Sequence, residues 1–205
     1  ACRYRSEFAA LTALNVPPLD AFFAAYVKSV CVAECSALGI PCPHVYSLDR
    51  AEATLEGKQA GLLVVKPDFD AGAAGGVHYV SALDELRAAV DRCTSLFGSA
   101  LIQEYIPGGP DAMKTVVVLF GPDGRLAAAF TTQKVRQWPP IGGVSAASCS
   151  TSEPRLVDLM VPFFQKWQWR GPAEVELKFD ARDGLHKVIE INPRFPGYLR
   201  FAGHC

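Results

Sequence analysis

The residues best suited to chemistry stand in two acidic stretches near the end of the chain. In Glu174-Val175-Glu176-Leu177-Lys178-Phe179 the side chains of an extended segment alternate between faces, so Val175, Leu177 and Phe179 share one face and Glu174, Glu176 and Lys178 the other. Val188-Ile189-Glu190-Ile191-Asn192-Pro193-Arg194 reads the same way, with Glu190 and Asn192 opposite Ile189 and Ile191. A hairpin register that buries both apolar faces brings Glu176 beside Glu190 and Asn192. Two carboxylates and an amide oxygen are hard donors, suited to a magnesium ion (or manganese) held jointly with phosphate oxygens. Like charges at that spacing call for a cation between them. Arg194 follows directly, and its planar fork suits a phosphate or an acyl phosphate. A second candidate is Lys66, which ends a β-branched run before a loop from Asp68 to Gly76 that contains Gly72 and Gly75. Glycines let backbone amides approach a phosphate, and the lysine adds a compact counter-charge. Neither GxxxxGK[ST] nor GxGxxG at a strand-to-helix turn occurs, which excludes a P-loop and a dinucleotide fingerprint.

The elements that must position these groups can be read from periodicity and breakers. Apolar residues from Phe22 to Ala33 recur at helical spacing and predict one helix over Leu19–Leu38, stopped by Gly39 and by Pro41 and Pro43. A short strand at His44–Leu48 and a helix over Asp49–Glu56 follow. Leu62–Lys66 and Val77–Val80 read as a hairpin with a glycine-rich tip. Ser81 precedes a helix beginning near Leu83, with Asp84 and Glu85 in its first turn, where the helix dipole favours them. Leu101–Ile106 is a strand closed by Pro107-Gly108-Gly109-Pro110. Met113–Phe120 and Leu126–Thr132 form an antiparallel pair around Pro122-Asp123-Gly124. Residues 133–152 read as a loop, 154–167 as a helix, and Ala173–Phe179 and Lys187–Ile191 as the final hairpin. Strand pairs mixed with helices in this order indicate an α+β fold of two lobes.

Composition narrows the functional classes. The chain of 205 residues is 50% hydrophobic and 20% charged with a formal net charge of −1. No broad basic field exists for a nucleic-acid backbone or an anionic membrane, so neither is expected as a partner. The seven cysteines show no paired CxxC spacing and no accompanying histidine cluster, which argues against zinc and for free thiols in a reducing cytoplasm.

Taken in order, the glycine-rich hairpin with Lys66, Ile102-Gln103-Glu104-Tyr105-Ile106-Pro107-Gly108, Glu176 and Glu190-Ile191-Asn192-Pro193-Arg194 resemble the ATP-grasp superfamily over about residues 20 to 200. That superfamily includes biotin carboxylase, carbamoyl phosphate synthetase and D-alanine–D-alanine ligase, and binds ATP between two α+β lobes. The resemblance implies roles residue by residue. Lys28 is similar to the first nucleotide lysine, although Val27 stands where relatives commonly carry an acidic residue. Lys66 is similar to the second, which reaches the α- and β-phosphates. Gln103 would meet the adenine amino group, Glu104 and Ile106 would offer backbone groups to the base, and Asp111 would accept from the ribose. Glu176, Glu190 and Asn192 are similar to the magnesium ligands. Arg136 or Lys134, in a loop similar to a substrate-facing one, would neutralise the γ-phosphate or an acid substrate.

The expectation is an ADP-forming carboxylate–amine ligase. It would take ATP, magnesium, a small carboxylate and an amine, and pass through an acyl phosphate. Bicarbonate activation, as in a carboxylase or carbamoyl phosphate synthetase, and a non-catalytic ATP-binding module are the alternatives. Residues 1–20 are expected to be the remnant of a preceding α/β domain, 21–106 the N-terminal lobe and 107–205 the C-terminal lobe. A companion domain upstream or a homo-oligomer would complete the protein.

Overall fold

A computed structural model of the chain describes residues 1–57, 61–69 and 76–199. In chain order the elements are α1 (Arg5–Ala9), α2 (Leu19–Tyr26), α3 (Lys28–Ala37), β1 (Val45–Tyr46), α4 (Leu48–Glu56), β2 (Leu63–Lys66), β3 (His78–Val80), α5 (Leu83–Phe97) and β4 (Leu101–Glu104). There follow β5 (Met113–Phe120), β6 (Leu126–Trp138), β7 (Val144–Thr151), α6 (Pro154–Lys166), β8 (Gly171–Asp180) and β9 (Leu185–Asn192). The strands form two antiparallel sheets, ordered β1-β4-β2-β3 and β7-β6-β5-β8-β9. The fold is α+β in two lobes, as the residue pattern implied.

Each sheet has its own core. In the smaller lobe Leu63, Val65 and Ile102 pack against Ala51, Leu86 and Cys93 of α4 and α5. Local signals fix these helices. Ser47 caps α4 by accepting from the Arg50 amide, and Glu85 accepts from the amides of Ser81 and Ala82 ahead of α5. Gly98, at φ +76°, ends α5 in the left-handed conformation. In the larger lobe Val116, Val118 and Phe120 of β5 and Val175 and Leu177 of β8 pack on Leu156, Met160, Phe163 and Phe164 of α6. Phe164 touches Phe120, Phe163 and Trp169 with ring centroids 5.2, 5.6 and 5.4 Å apart. Each fully buried aromatic of this kind contributes about 1.5–3 kcal/mol of transfer free energy.

Four features depart from the residue pattern. The helix expected over Leu19–Leu38 is two, broken at Val27, which is extended (φ −85°, ψ 112°). The start of α3 is held from outside: the Lys28 amide donates to the Asp68 carbonyl at 2.7 Å, and Ser29 gives its amide and hydroxyl to the Asp68 carboxylate at 2.7 and 2.6 Å. The segment expected as a loop over 133–152 instead carries the end of β6 and all of β7, paired from Thr131↔Thr151 to Trp138↔Val144. Phe179, expected on the apolar face, is exposed, and its neighbour Asp180 is buried. Finally, β9 bulges. Glu176 faces Glu190 but Leu177 faces Val188, leaving Ile189 as the extra residue, so Val188 and Ile191 both enter the core and Ile189 does not.

Core membership also divides the chain differently from an N-terminal lobe beginning at residue 21. Ala21, Ala24 and Ala25 of α2 and Cys31 and Cys35 of α3 belong to the larger core. The preceding segment is fastened there too, with Asn15 donating to the Phe120 carbonyl at 2.8 Å.

Candidate functional site

Between the two sheets lies a cavity of about 630 Å³. The smaller lobe supplies Lys66, Tyr79, Gln103 and Ile106 to its wall, and the larger lobe supplies Lys28, Lys134, Glu176, Glu190 and Arg194. These residues are far apart in sequence and meet because the β8–β9 register sets Glu176 directly opposite Glu190, with Glu174 opposite Asn192.

Three lysines converge on the carboxylates. Lys28, in the first turn of α3, places Nζ 3.5 Å from Glu190 Oε2. Lys66 is buried at the end of β2, and its Nζ donates to the Ile189 carbonyl at 3.4 Å, across the lobes. Burial lowers the Lys66 ammonium pKa to about 8, opposed by attraction to Glu190 and reinforced by repulsion from Lys28. Lys134 donates to the Gly143 carbonyl at 3.2 Å and lines the cavity. Glu176 is pushed above the ordinary carboxylate range by burial and by Glu190, with Lys134 pulling it back. Burial also raises Glu174, against the pull of Arg194, whose Nη1 donates to Glu174 Oε2 at 2.9 Å.

The donor set fits magnesium shared with a substrate. No group of three or more His, Cys, Asp or Glu suited to a metal occurs among the described residues, so an ion here would need oxygens from a ligand to complete its shell. Asn192, expected as a third ligand, is off the cavity wall and turns its amide nitrogen to Glu190 Oε1 at 3.1 Å, so the carboxylates of Glu176 and Glu190 are the donors that face the cavity. The base end fits as well. Gln103 is only 2% exposed, and its Nε2 has no hydrogen-bond partner, a costly state for a buried donor unless a ligand accepts from it.

Not every expected residue arrives. Asp111 is exposed in a 3-10 turn (Pro110–Ala112), folded back beside Gly109 and off the cavity wall, while Gly108, Gly109 and Met113 are on it. Arg136 is exposed and off the wall too. The β6–β7 register skips Val135, and Lys134, not Arg136, faces the cavity. Gly72 and Gly75 lie outside the described residues; at Gly76 an added Cβ would stand 2.7 Å from Pro67 Cγ. The Glu104 amide is engaged with the His44 carbonyl at 2.8 Å and is not free for a base. Two residues that residue types alone do not single out complete the surroundings: Glu174, the partner of Arg194, which shares a face with Glu176, and Asp68, the cap of the helix that carries Lys28.

No protein-family model matches the sequence, and no curated protein does. Solved structures do match. The biotin carboxylase domain of 2-oxoglutarate carboxylase from Hydrogenobacter thermophilus, in complex with MgADP, ADP and bicarbonate, superposes with a TM-score of 0.72 at 17% identity, over 96% of this chain and 45% of that one. The D-alanine-D-alanine ligase of Coxiella burnetii gives 0.66 at 16%, over 86% and 50%. N5-carboxyaminoimidazole synthase of Aspergillus clavatus, in complex with ADP and 5-aminoimidazole ribonucleotide, gives 0.68 at 17%, over 96% and 52%. The chain therefore spans about half the length of these structures, and the likeness establishes its fold.

Proposed function

From the ATP-grasp fold that this chain shares with those structures, we propose that it is the nucleotide-binding part of an ADP-forming ligase that joins a small carboxylic acid to an amine. The observation that carries this reading is the convergence of Lys28, Lys66 and Lys134 with Glu176 and Glu190 around one cavity. A triphosphate needs cations on its flanks and a metal on its oxygens, and the lysines would supply the first and the two carboxylates would hold the second.

Lys66 and Lys28 would hold the phosphates. Lys134 and Arg194 would neutralise the charge that develops as the γ-phosphoryl group moves to the carboxylate oxygen. Bound magnesium, held by Glu176 and Glu190 together with phosphate oxygens, would neutralise phosphate charge. Transfer breaks the bond between the β–γ bridging oxygen and the γ-phosphorus and forms an acyl phosphate and ADP. An amine then attacks the acyl carbon, phosphate leaves, and the amine proton passes to solvent. The chain's contribution is positioning and fixed charge, without a covalent intermediate on the protein.

The test is product analysis with Mg-ATP, candidate acids and amines. ADP and phosphate formed only when acid and amine are both present support the reading. AMP and pyrophosphate overturn it, and ATP hydrolysis stimulated by bicarbonate alone redirects it to carboxylation. Glu190→Ala should abolish magnesium-dependent ATP binding, as read by calorimetry; undiminished binding would remove Glu190 from the metal site.

A further inference from the structure

The turn end of the β8–β9 hairpin holds a cluster of charges that the nucleotide site does not use. Asp180 is fully buried and accepts from Arg182 Nε at 2.8 Å, Arg182 Nη2 at 2.6 Å and Lys187 Nζ at 2.7 Å. The same Arg182 Nη2 lies 2.6 Å from Glu104 Oε1, and Lys187 Nζ lies 3.8 Å from Glu104 Oε2. Glu104 Oε2 also accepts from the His44 amide at 3.2 Å. Glu104 belongs to β4, in the smaller lobe, whereas Arg182 and Lys187 belong to the larger one.

The hairpin that carries Glu176 and Glu190 in its middle thus grips, at its turn, the strand that carries Gln103 and Glu104. Between these two points Lys178 sits over the Tyr105 ring, 5.0 Å from its centroid. One rigid antiparallel pair spans the whole cavity, from the phosphate lysines to the base end.

We propose that Arg182 is a positioning residue for the nucleotide base. Resting on the proposed ATP site, it acts through Glu104 to fix the backbone of residues 103–106 at the height set by the metal-binding hairpin. A bidentate anchor already tied down by Asp180 loses little side-chain freedom in holding Glu104, so its pull on the strand is stronger than that of an ordinary exposed pair. Arg182 does not line the main cavity, so its effect on a ligand passes through Glu104.

The experiment compares Mg-ATP with magnesium tripolyphosphate, which occupies the phosphate end alone. By calorimetry, Arg182→Ala should weaken Mg-ATP about fivefold to tenfold and leave tripolyphosphate within about twofold, with Arg182→Lys restoring part of the loss. Combining Arg182→Ala with Glu104→Gln should add little to either alone. Mg-ATP binding unchanged in Arg182→Ala, or both ligands weakened equally, overturns the positioning role. A wild-type protein that binds neither ligand overturns the nucleotide site itself and the positioning role with it.

Discussion

Asp180 shows what one buried carboxylate can fix. Its carboxyl is held well below the usual range, first by the hydrogen bond from Arg182 and then by Lys187, against the cost of burial. A group whose folded value lies below its unfolded one stabilises the fold above the unfolded value and stops doing so as pH falls through the folded one. The urea midpoint of the wild type should therefore drop as pH is lowered from about 5 towards 2. Asp180→Asn, which leaves Lys187 its ion pair with Asp183 at 2.9 Å but removes its buried ionic partner, should lose about 2 kcal/mol at neutral pH and show a flatter acid limb. An acid limb as steep as that of the wild type would show that another group sets it.

At the scale of elements, the β6–β7 hairpin closes the cavity from above. Gly142 at its tip has φ +66°, and a Cβ there would fall on the Tyr79 hydroxyl of the opposite lobe. Gly142→Ala should cost about 1 kcal/mol in backbone strain and lift the tip from Tyr79. Mg-ATP affinity should fall, and Tyr79→Phe in the same chain should return part of it by removing the blocking oxygen; titration of the three proteins tests this. That hairpin was hidden in the sequence because β7 is an edge strand of small and hydroxylated residues, largely exposed, with no period-2 pattern to read. The β8–β9 pair was legible for the opposite reason, since acids and aliphatics alternate there and one face is buried. Even so, its bulge at Ile189 was not, as nothing in Val188-Ile189-Glu190 marks where a residue is skipped. The break at Val27 was likewise invisible. Apolar spacing runs on through α2 and α3, and the cap that starts α3 comes from Asp68, 39 positions away. Arg136 and Lys134 could not be separated without the skipped Val135.

At the scale of the whole molecule, the two sheets have separate hydrophobic cores, so they can be loosened separately. Leu86 is fully buried in the smaller core, and Leu86→Ala should cost about 3 kcal/mol. Hydrogen exchange should then quicken in β2, β3 and β4 while β5, β8 and β9 keep their protection. Equal acceleration everywhere would mean that the lobes unfold as one. The chain begins in the larger core with α2 and α3, leaves it after Cys42, builds β1 to β4, and returns at Met113. The outgoing and returning strands touch where the His44 carbonyl accepts from the Glu104 amide at 2.8 Å. The smaller lobe is thus a guest inserted into a host through a single doorway. Excising it and joining Pro43 to Tyr105 by a few flexible residues would span almost no gap, and the host would keep Glu176 and Glu190 while losing Lys66 and β4.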